Sequence, residues 1–153
     1  MIQRRSLSLA VLVLSAAAHL AGPALAQNLD AIKTRQALMK DNGKAAGEAG
    51  AILKGEAEFS PDKATAIFTR MHDVAVKFGD HFPEDSKTGG ETEAAPAIWE
   101  EPEEFEAALV KYQEDTQAAI DSAPQDVAAF QQAFGQVAQN CRGCHEDFRI
   151  DTD

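Results

Sequence analysis

A continuous apolar seam near the end of the chain is the feature that most restricts its fold. Because its residues recur at alternating intervals of three and four, they line one face of an α-helix. The seam consists of Val127, Phe130, Phe134, Val137, Cys141, Cys144 and Phe148. It predicts a helix that packs against other helices, and Pro124, two residues after Ser122, is expected in its first turn.

Three earlier stretches have the same helical periodicity. Residues 29–53 and 61–78 predict the first two helices, with Ser60 as the N-cap of the second. A third helix is predicted from about residue 102 to 120. Three glycines weaken the first helix, so a break near Asn42-Gly43 is an open alternative. Nothing alternates with period two over a useful length, and the predicted fold class is therefore all-α with four helices.

The N-terminus has the pattern of a secretory signal peptide. A basic start precedes an apolar run at residues 7–20, and Ala24-Leu25-Ala26 supplies the small residues that signal peptidase needs. The run of about 14 apolar residues is too short to span a bilayer comfortably. We predict that residues 1–26 are cleaved on export to the periplasm and that residues 27–153 form a single domain.

The predicted mature domain is strongly acidic. Residues 1–26 hold two of the 14 basic residues and none of the 25 acidic ones, so the remaining chain has a formal charge of −13. This charge argues against nucleic acid and anionic membrane surfaces as partners, and it leaves a basic protein partner open.

Residues 79–101 are rich in Gly, Pro, Ser, Thr and Glu, and they predict a long irregular loop. The loop is longer than a simple connector needs, so we expect it to cover part of the bundle. Trp99, the sole tryptophan, lies in its only strongly apolar part. We expect Trp99 to cap one end of the core, with contact to a cofactor as the alternative.

Both cysteines of the chain lie in the sequence Cys-Arg-Gly-Cys-His at residues 141–145. C-x-x-C-H is the attachment motif of c-type haem. On a helix, Cys141 and Cys144 share a face, so both thiols can form thioethers at one haem edge while His145 reaches the iron. Because both cysteines lie on the seam, we expect one covalent haem c inside the bundle.

Three other interpretations of this motif agree less well with the sequence. A structural zinc site needs four ligands, and His72 and His81 have no matching spacing. A thioredoxin-like dithiol should open a helix after a strand. A structural disulfide is feasible in an exported protein, but it leaves His145 without a role.

Three stretches together carry a family resemblance: TRQALMKDNG at residues 34–43, PAIWE at 96–100 and CRGCHEDFR at 141–149. With them the sequence resembles the class II c-type cytochromes, the cytochrome c′ and cytochrome c-556 family, over essentially the whole mature chain. The resemblance implies an antiparallel up-down-up-down four-helix bundle with covalently bound haem.

The resemblance also implies further site residues. Arg35 and Gln36 match two residues that approach a haem propionate, and Arg149 matches a basic residue on the proximal face. Met39 matches the residue that faces the open side of the iron, either as an axial ligand or as core packing above it. Met71, on the apolar face of the second helix, is an outside candidate for the distal ligand.

The role of Met39 distinguishes two functions. If its sulfur binds the iron opposite His145, the haem is low-spin and suited to single-electron transfer with a periplasmic or membrane-bound redox protein. If Met39 only packs above the iron, a high-spin five-coordinate haem in a dry apolar pocket binds NO or CO. The sequence favours electron transfer, with gas binding as the alternative.

Enzymatic turnover is not expected, because no distal His/Arg pairing of the kind that peroxide chemistry uses is evident. His72, on the second helix, has no position relative to the haem that the sequence defines. Members of the family occur as monomers and as homodimers, and both states stay open. No membrane insertion is expected.

Overall fold

The computed structural model describes residues 28–150 of the chain. These residues form four long helices and one short one, namely α1 (Leu29–Leu53), α2 (Pro61–Phe78), α3 (Ala97–Glu100), α4 (Pro102–Asp121) and α5 (Val127–Phe148). The long helices form a four-helix bundle in which α1 packs along α2, α2 along α4, and α4 along α5. The all-α prediction is therefore confirmed.

The predicted signal peptide, residues 1–26, lies outside the described residues. Within residues 28–150, no helix combines the length and the apolar character that a membrane crossing requires.

The first two helices begin where the sequence predicts, and the predicted N-cap of α2, Ser60, is confirmed. Asn28 caps α1 with its Oδ1, which accepts a hydrogen bond from the backbone N–H of Ala31 at 3.0 Å. The Ser60 hydroxyl caps α2 in the same way at 3.2 Å from the Lys63 nitrogen. The alternative of a break near Asn42-Gly43 is not observed, because α1 runs unbroken through these residues. Its buried face, which includes Ala45 and Ala49, packs into the core.

The start of α5 differs from the prediction. The helix begins at Val127, and its N-cap is Asp126, whose Oδ1 accepts from the Ala129 nitrogen at 2.8 Å. Pro124 is buried in the connection after Ala123, which has a positive φ of 41°. The expectation that Pro124 lies in the first turn was wrong, because the Asp126 carboxylate supplies the acceptor that the free N–H groups of the first turn need.

Two apolar clusters fill the bundle. The large core joins α1, α2, α4 and α5 around Phe68 and Phe130, whose ring centres are 5.4 Å apart. The small core lies at the other end, and it is formed by Ile98, Phe105, Leu109 and Phe148. Helices α1 and α5 meet over a shorter length than the other neighbouring pairs, which leaves space between them.

The segment 79–101 folds over the small core, as expected of a covering loop. It contains two short 3₁₀ turns and α3. Trp99 packs against the small core and donates its indole N–H to the Phe82 carbonyl at 2.8 Å, in agreement with the core-capping role. Near its end the segment pairs with the residues after α5, since Ala95 N–H bonds Phe148 O at 3.0 Å. This pairing ties the loop to the C-terminal end of the bundle.

Candidate cofactor site

A cavity of about 520 Å³ lies between α1 and α5, with α4 and the segment 79–101 closing it. Its volume is within the range of pockets that hold cofactors. Most of its wall is apolar, from residues such as Phe78, Phe82, Ile98 and Leu109. All seven predicted site residues border this one cavity: Arg35, Gln36, Met39, Cys141, Cys144, His145 and Arg149.

The two cysteines are half-buried on the cavity face of α5, and both are free thiols. Burial raises the pKa of Cys141 and, with the nearby charges of Cys141 and Asp147, raises the pKa of Cys144 to about 11. A redox-active dithiol requires a lowered thiol pKa. The electrostatics of this site therefore oppose the thioredoxin-like interpretation.

His145 follows Cys144 on the last turn of α5 and also borders the cavity. Partial burial, together with the positive charge of Arg149, lowers the pKa of His145. The neutral imidazole is the form that binds a metal, so this shift favours a ligand role. Within residues 28–150, no three His, Cys, Asp or Glu side chains converge in a group that could hold a metal ion.

Arg35 is almost fully buried, with 4% of its surface exposed, and its guanidinium fastens the segment 79–101 to α1. Its Nη1 donates to His81 O at 3.1 Å and to Ser86 Oγ at 2.9 Å. Its Nη2 donates to Ser86 O at 2.8 Å and to Thr92 Oγ1. Both terminal nitrogens thus have protein acceptors, and contact of Arg35 with a propionate stays a prediction.

Aromatic contacts reinforce this arrangement. The Arg35 guanidinium carbon lies 4.8 Å from the ring centre of Phe82 and 5.8 Å from that of Trp99, within the range of cation–π attraction. The adjacent Gln36 donates its Nε2 to the carbonyls of Gly90 and Glu91, both at 3.1 Å. Two successive residues of α1 therefore hold the loop that closes the cavity.

Met39 is half-buried one turn after Arg35, on the helix across the cavity from the Cys-x-x-Cys-His turn. Met71 is fully buried in the large core and does not border the cavity, so the structure removes it as a candidate ligand. His72 lies between α2 and α4, where its Nδ1 is 3.1 Å from Thr116 Oγ1. It is not among the residues that border the cavity.

Arg149 lies at the rim of the cavity, beside the pairing between the loop 79–101 and the residues after α5. Its Nε donates to Glu93 Oε2 at 2.7 Å. The main chain adds a second link, because Ile150 N–H bonds Glu93 O at 2.8 Å.

Sequence reasoning missed Asn42 and Tyr112, which border the cavity and form a buried hydrogen bond of 2.7 Å between the Tyr112 hydroxyl and Asn42 Oδ1. Burial raises the pKa of Tyr112, so its hydroxyl keeps its proton and donates. A signal was present in the sequence. Asn42 continues the stripe of Arg35 and Met39 at intervals of four and three, which puts an amide on the inner face of a helix.

These residues fit one covalent haem. Two thiols on one helix face are matched by an imidazole on the next residue, and all three open onto the same largely apolar cavity. The bound group would separate α1 from α5 and join the two cores, as cofactors do in helical bundles.

Comparisons with known proteins agree with this fit. The family model described as cytochrome c′ matches residues 30–149. A cytochrome c′ of Rhodopseudomonas palustris is 38% identical over 84% of this chain and 86% of its own length. A cytochrome c-556 of Agrobacterium tumefaciens is 34% identical over 78% of this chain and 96% of its own.

A comparison of the fold with solved structures finds cytochromes c′ as well. A solved structure of cytochrome c′ from Rhodopseudomonas palustris superposes with a TM-score of 0.77 at 36% identity, covering 81% of this chain and 98% of that one. The chain therefore belongs to the cytochrome c′ family of class II c-type cytochromes, whose members bind one covalent haem c.

Proposed function

We propose that the mature chain is a periplasmic monohaem cytochrome of the c′ type that binds a small neutral ligand such as NO or CO. One observation carries the proposal: the attachment motif at residues 141–145 and Met39 border the same apolar cavity from opposite helices. When bound, the haem would supply an iron centre that changes oxidation state by one electron and can bind a small ligand.

The residues of α5 hold the group in this proposal. Cys141 and Cys144 would form the two thioethers, and His145 would bind the iron. Arg149, held by Glu93 at 2.7 Å, lies near the proximal face. Arg35 and Gln36 keep the loop closed over the propionate side.

Gas binding is favoured by the chemistry of the wall. Most of the wall area is apolar, with Phe, Leu, Ile and Ala side chains among the lining residues. Apolar surface offers little to water or to anions and admits neutral diatomic molecules. The similarity to cytochromes c′ in both sequence and structure also supports this function.

Single-electron transfer is the second candidate, and Met39 is the observation that favours it. A thioether from α1 that binds the iron opposite His145 would give a low-spin haem, and His/Met ligation raises the reduction potential. Relatives named cytochrome c-556 support this candidate. The formal charge of −13 after residue 26 would then suit a basic periplasmic or membrane-bound redox partner.

Membership of the family also bears on the class of activity and on the oligomeric state. Its members are electron-carrying or gas-binding haem proteins rather than known enzymes, and they are often homodimers. We propose that residues 1–26 direct export, and that haem attachment takes place in the periplasm.

Optical spectra of the haem-loaded protein separate the two functions. Expression in a host that attaches haem c should give a band that stains for haem on a denaturing gel. A high-spin spectrum that shifts with CO supports gas binding, whereas a low-spin spectrum that CO leaves unchanged supports electron transfer. In the second case, Met39→Ala should convert the protein to the CO-binding form. Colourless protein without covalent haem would refute both functions.

A further inference from the structure

Asn42, a largely buried polar residue at the cavity, has a side-chain N–H donor that is not used within residues 28–150. Asn42 is only 8% exposed, and its Oδ1 is occupied by the Tyr112 hydroxyl at 2.7 Å. Its Nδ2 donates to no acceptor in the part of the chain that the structure describes. Because Asn42 borders the cavity, this amide nitrogen opens onto it and is not sealed inside the protein. This nitrogen is therefore accessible to an acceptor that enters the cavity, and it can supply that acceptor with a hydrogen bond.

The other side-chain donors at the α1 and α5 walls are of two kinds. Those of Lys40, His145 and Arg149 belong to exposed residues, and the more buried ones already have acceptors. The terminal nitrogens of Arg35 donate to the covering loop, and Gln36 Nε2 donates to two loop carbonyls. Asn140 Nδ2 donates to Asp115 Oδ2 at 2.7 Å. Asn42 therefore differs from these neighbours, because it is a largely buried residue whose amide nitrogen has no acceptor within residues 28–150.

The position of Asn42 on α1 shows on which side of the cavity its amide donor lies. It lies three residues after Met39 on α1, and Cβ atoms at this spacing are about 5–6 Å apart on the same helix face. The donor is thus on the side of Met39, across the cavity from the helix of His145.

We propose that Asn42 is a ligand-discriminating residue, and that Tyr112 is its positioning residue. The Asn42 Nδ2–H donates a hydrogen bond to the outer atom of a small ligand held on the Met39 side. A ligand whose outer atom becomes partly negative on binding, such as nitric oxide, gains more from this bond than carbon monoxide does. Tyr112 fixes the amide so that its nitrogen, and not its oxygen, points into the cavity. This inference rests on the proposed gas-binding function.

The test compares haem-loaded wild-type protein with Asn42→Leu, which keeps the side-chain volume and removes the donor. We expect NO to dissociate about fivefold faster from the variant, the effect of one ordinary hydrogen bond. The C–O stretching frequency of the CO complex should rise, while the CO dissociation rate should change less than that of NO. Tyr112→Phe should shift both readouts in the same direction by a smaller amount.

Thr116→Val is the matched control, because Thr116 is a fully buried hydroxyl on α4 that does not border the cavity. It should leave both readouts unchanged. Unchanged NO dissociation and C–O frequency in Asn42→Leu would overturn the inference. If Asn42→Leu does not fold, the same two readouts in Tyr112→Phe decide it.

Failure of the proposed function gives a different result. In that case the wild-type protein binds neither gas, and the comparison is made in the Met39→Ala background, where the iron is open. An effect of Asn42→Leu there would support the role of Asn42 even though the natural protein carries electrons. No effect there would overturn it.

Discussion

Ser86 accepts two hydrogen bonds from the buried guanidinium of Arg35, one at its hydroxyl at 2.9 Å and one at its carbonyl at 2.8 Å. The two residues are 51 positions apart, so this contact fixes the loop 79–101 against α1. The cover of the cavity therefore depends on one side chain of α1 more than on any regular structure of its own.

Replacing Arg35 by Leu should release this loop. The change leaves the carbonyls of His81 and Ser86 without their donors, and we expect the free energy of unfolding to fall by about 3 kcal/mol. Amide hydrogen exchange should become faster at residues 82–95. Urea unfolding and exchange followed by mass spectrometry measure the two effects.

Arg70→Leu is the control for this prediction. Arg70 forms a two-bonded ion pair with Glu48, both bonds at 2.9 Å, at the exposed surface of α2. Its loss should cost at most about 1 kcal/mol. Equal losses in the two arginine variants would contradict the role of Arg35 as the clamp of the loop.

Truncation of Met71 and truncation of Met39 to alanine should have different effects on stability. Met71 is fully buried in the large core, so Met71→Ala should lower the free energy of unfolding by about 2–5 kcal/mol and leave the haem spectrum unchanged. Met39 is only half-buried at the cavity, so Met39→Ala should cost less stability. A spectral change in Met71→Ala would show that the cavity extends further than the structure places it.

Asp115 should contribute stability that depends on pH. Burial alone would raise its pKa, but hydrogen bonds from Asn140 and Lys111 outweigh burial and hold the pKa of Asp115 below its ordinary value of 3.8. The folded state thus favours the carboxylate. Its contribution is complete above the ordinary pKa and is lost as the pH falls through the lowered one.

Asp115→Asn should therefore cost about 1 kcal/mol at pH 7, and the difference from wild type should shrink in acid below the ordinary pKa. Urea unfolding at several pH values measures it. Asp121→Asn is the comparison, because Asp121 bonds only Gln117 of its own helix, at 2.8 Å. A difference for Asp115→Asn that grows in acid would be opposite to the expected sign.

Two glycine substitutions should have opposite signs. Gly90 has a φ of +53°, and a Cβ there would lie 3.2 Å from Ile32 Cγ2, so Gly90→Ala should destabilise the fold by about 1–2 kcal/mol. Gly47 is inside α1 with nothing within 4 Å of an added Cβ, so Gly47→Ala should stabilise by up to about 1 kcal/mol. Thermal unfolding of the haem-loaded variants measures both. Stabilisation by Gly90→Ala would mean that the loop adopts another backbone conformation.

The helices were predictable because each leaves a local, periodic signal. The apolar spacing and the caps define α1 and α2 to the residue, and Ser60 acts as the cap that its position indicates. At α5 the same reasoning placed Pro124 in the first turn, whereas Asp126, which is equally typical of a helix start, is the observed N-cap. Only the packing of Pro124 into the connection separates the two.

The motif at residues 141–145 also predicted which face of α5 borders the cavity. The partners of Arg35 could not be predicted, since contacts between a helix and a loop some 50 residues away follow no period. The bond between Asn42 and Tyr112 is hidden for the same reason, because it joins α1 to α4 across 70 positions.

The division of the interior into a large and a small core has a consequence for how the protein matures. The large core contains residues of both α1 and α5, but these two helices meet over only a short length. We therefore expect a polypeptide that lacks its prosthetic group to be loosely assembled between them. Such a polypeptide is open to proteolysis, whereas the completed form is compact. Assembly of the tertiary structure would then act as quality control, and only pigmented molecules would accumulate.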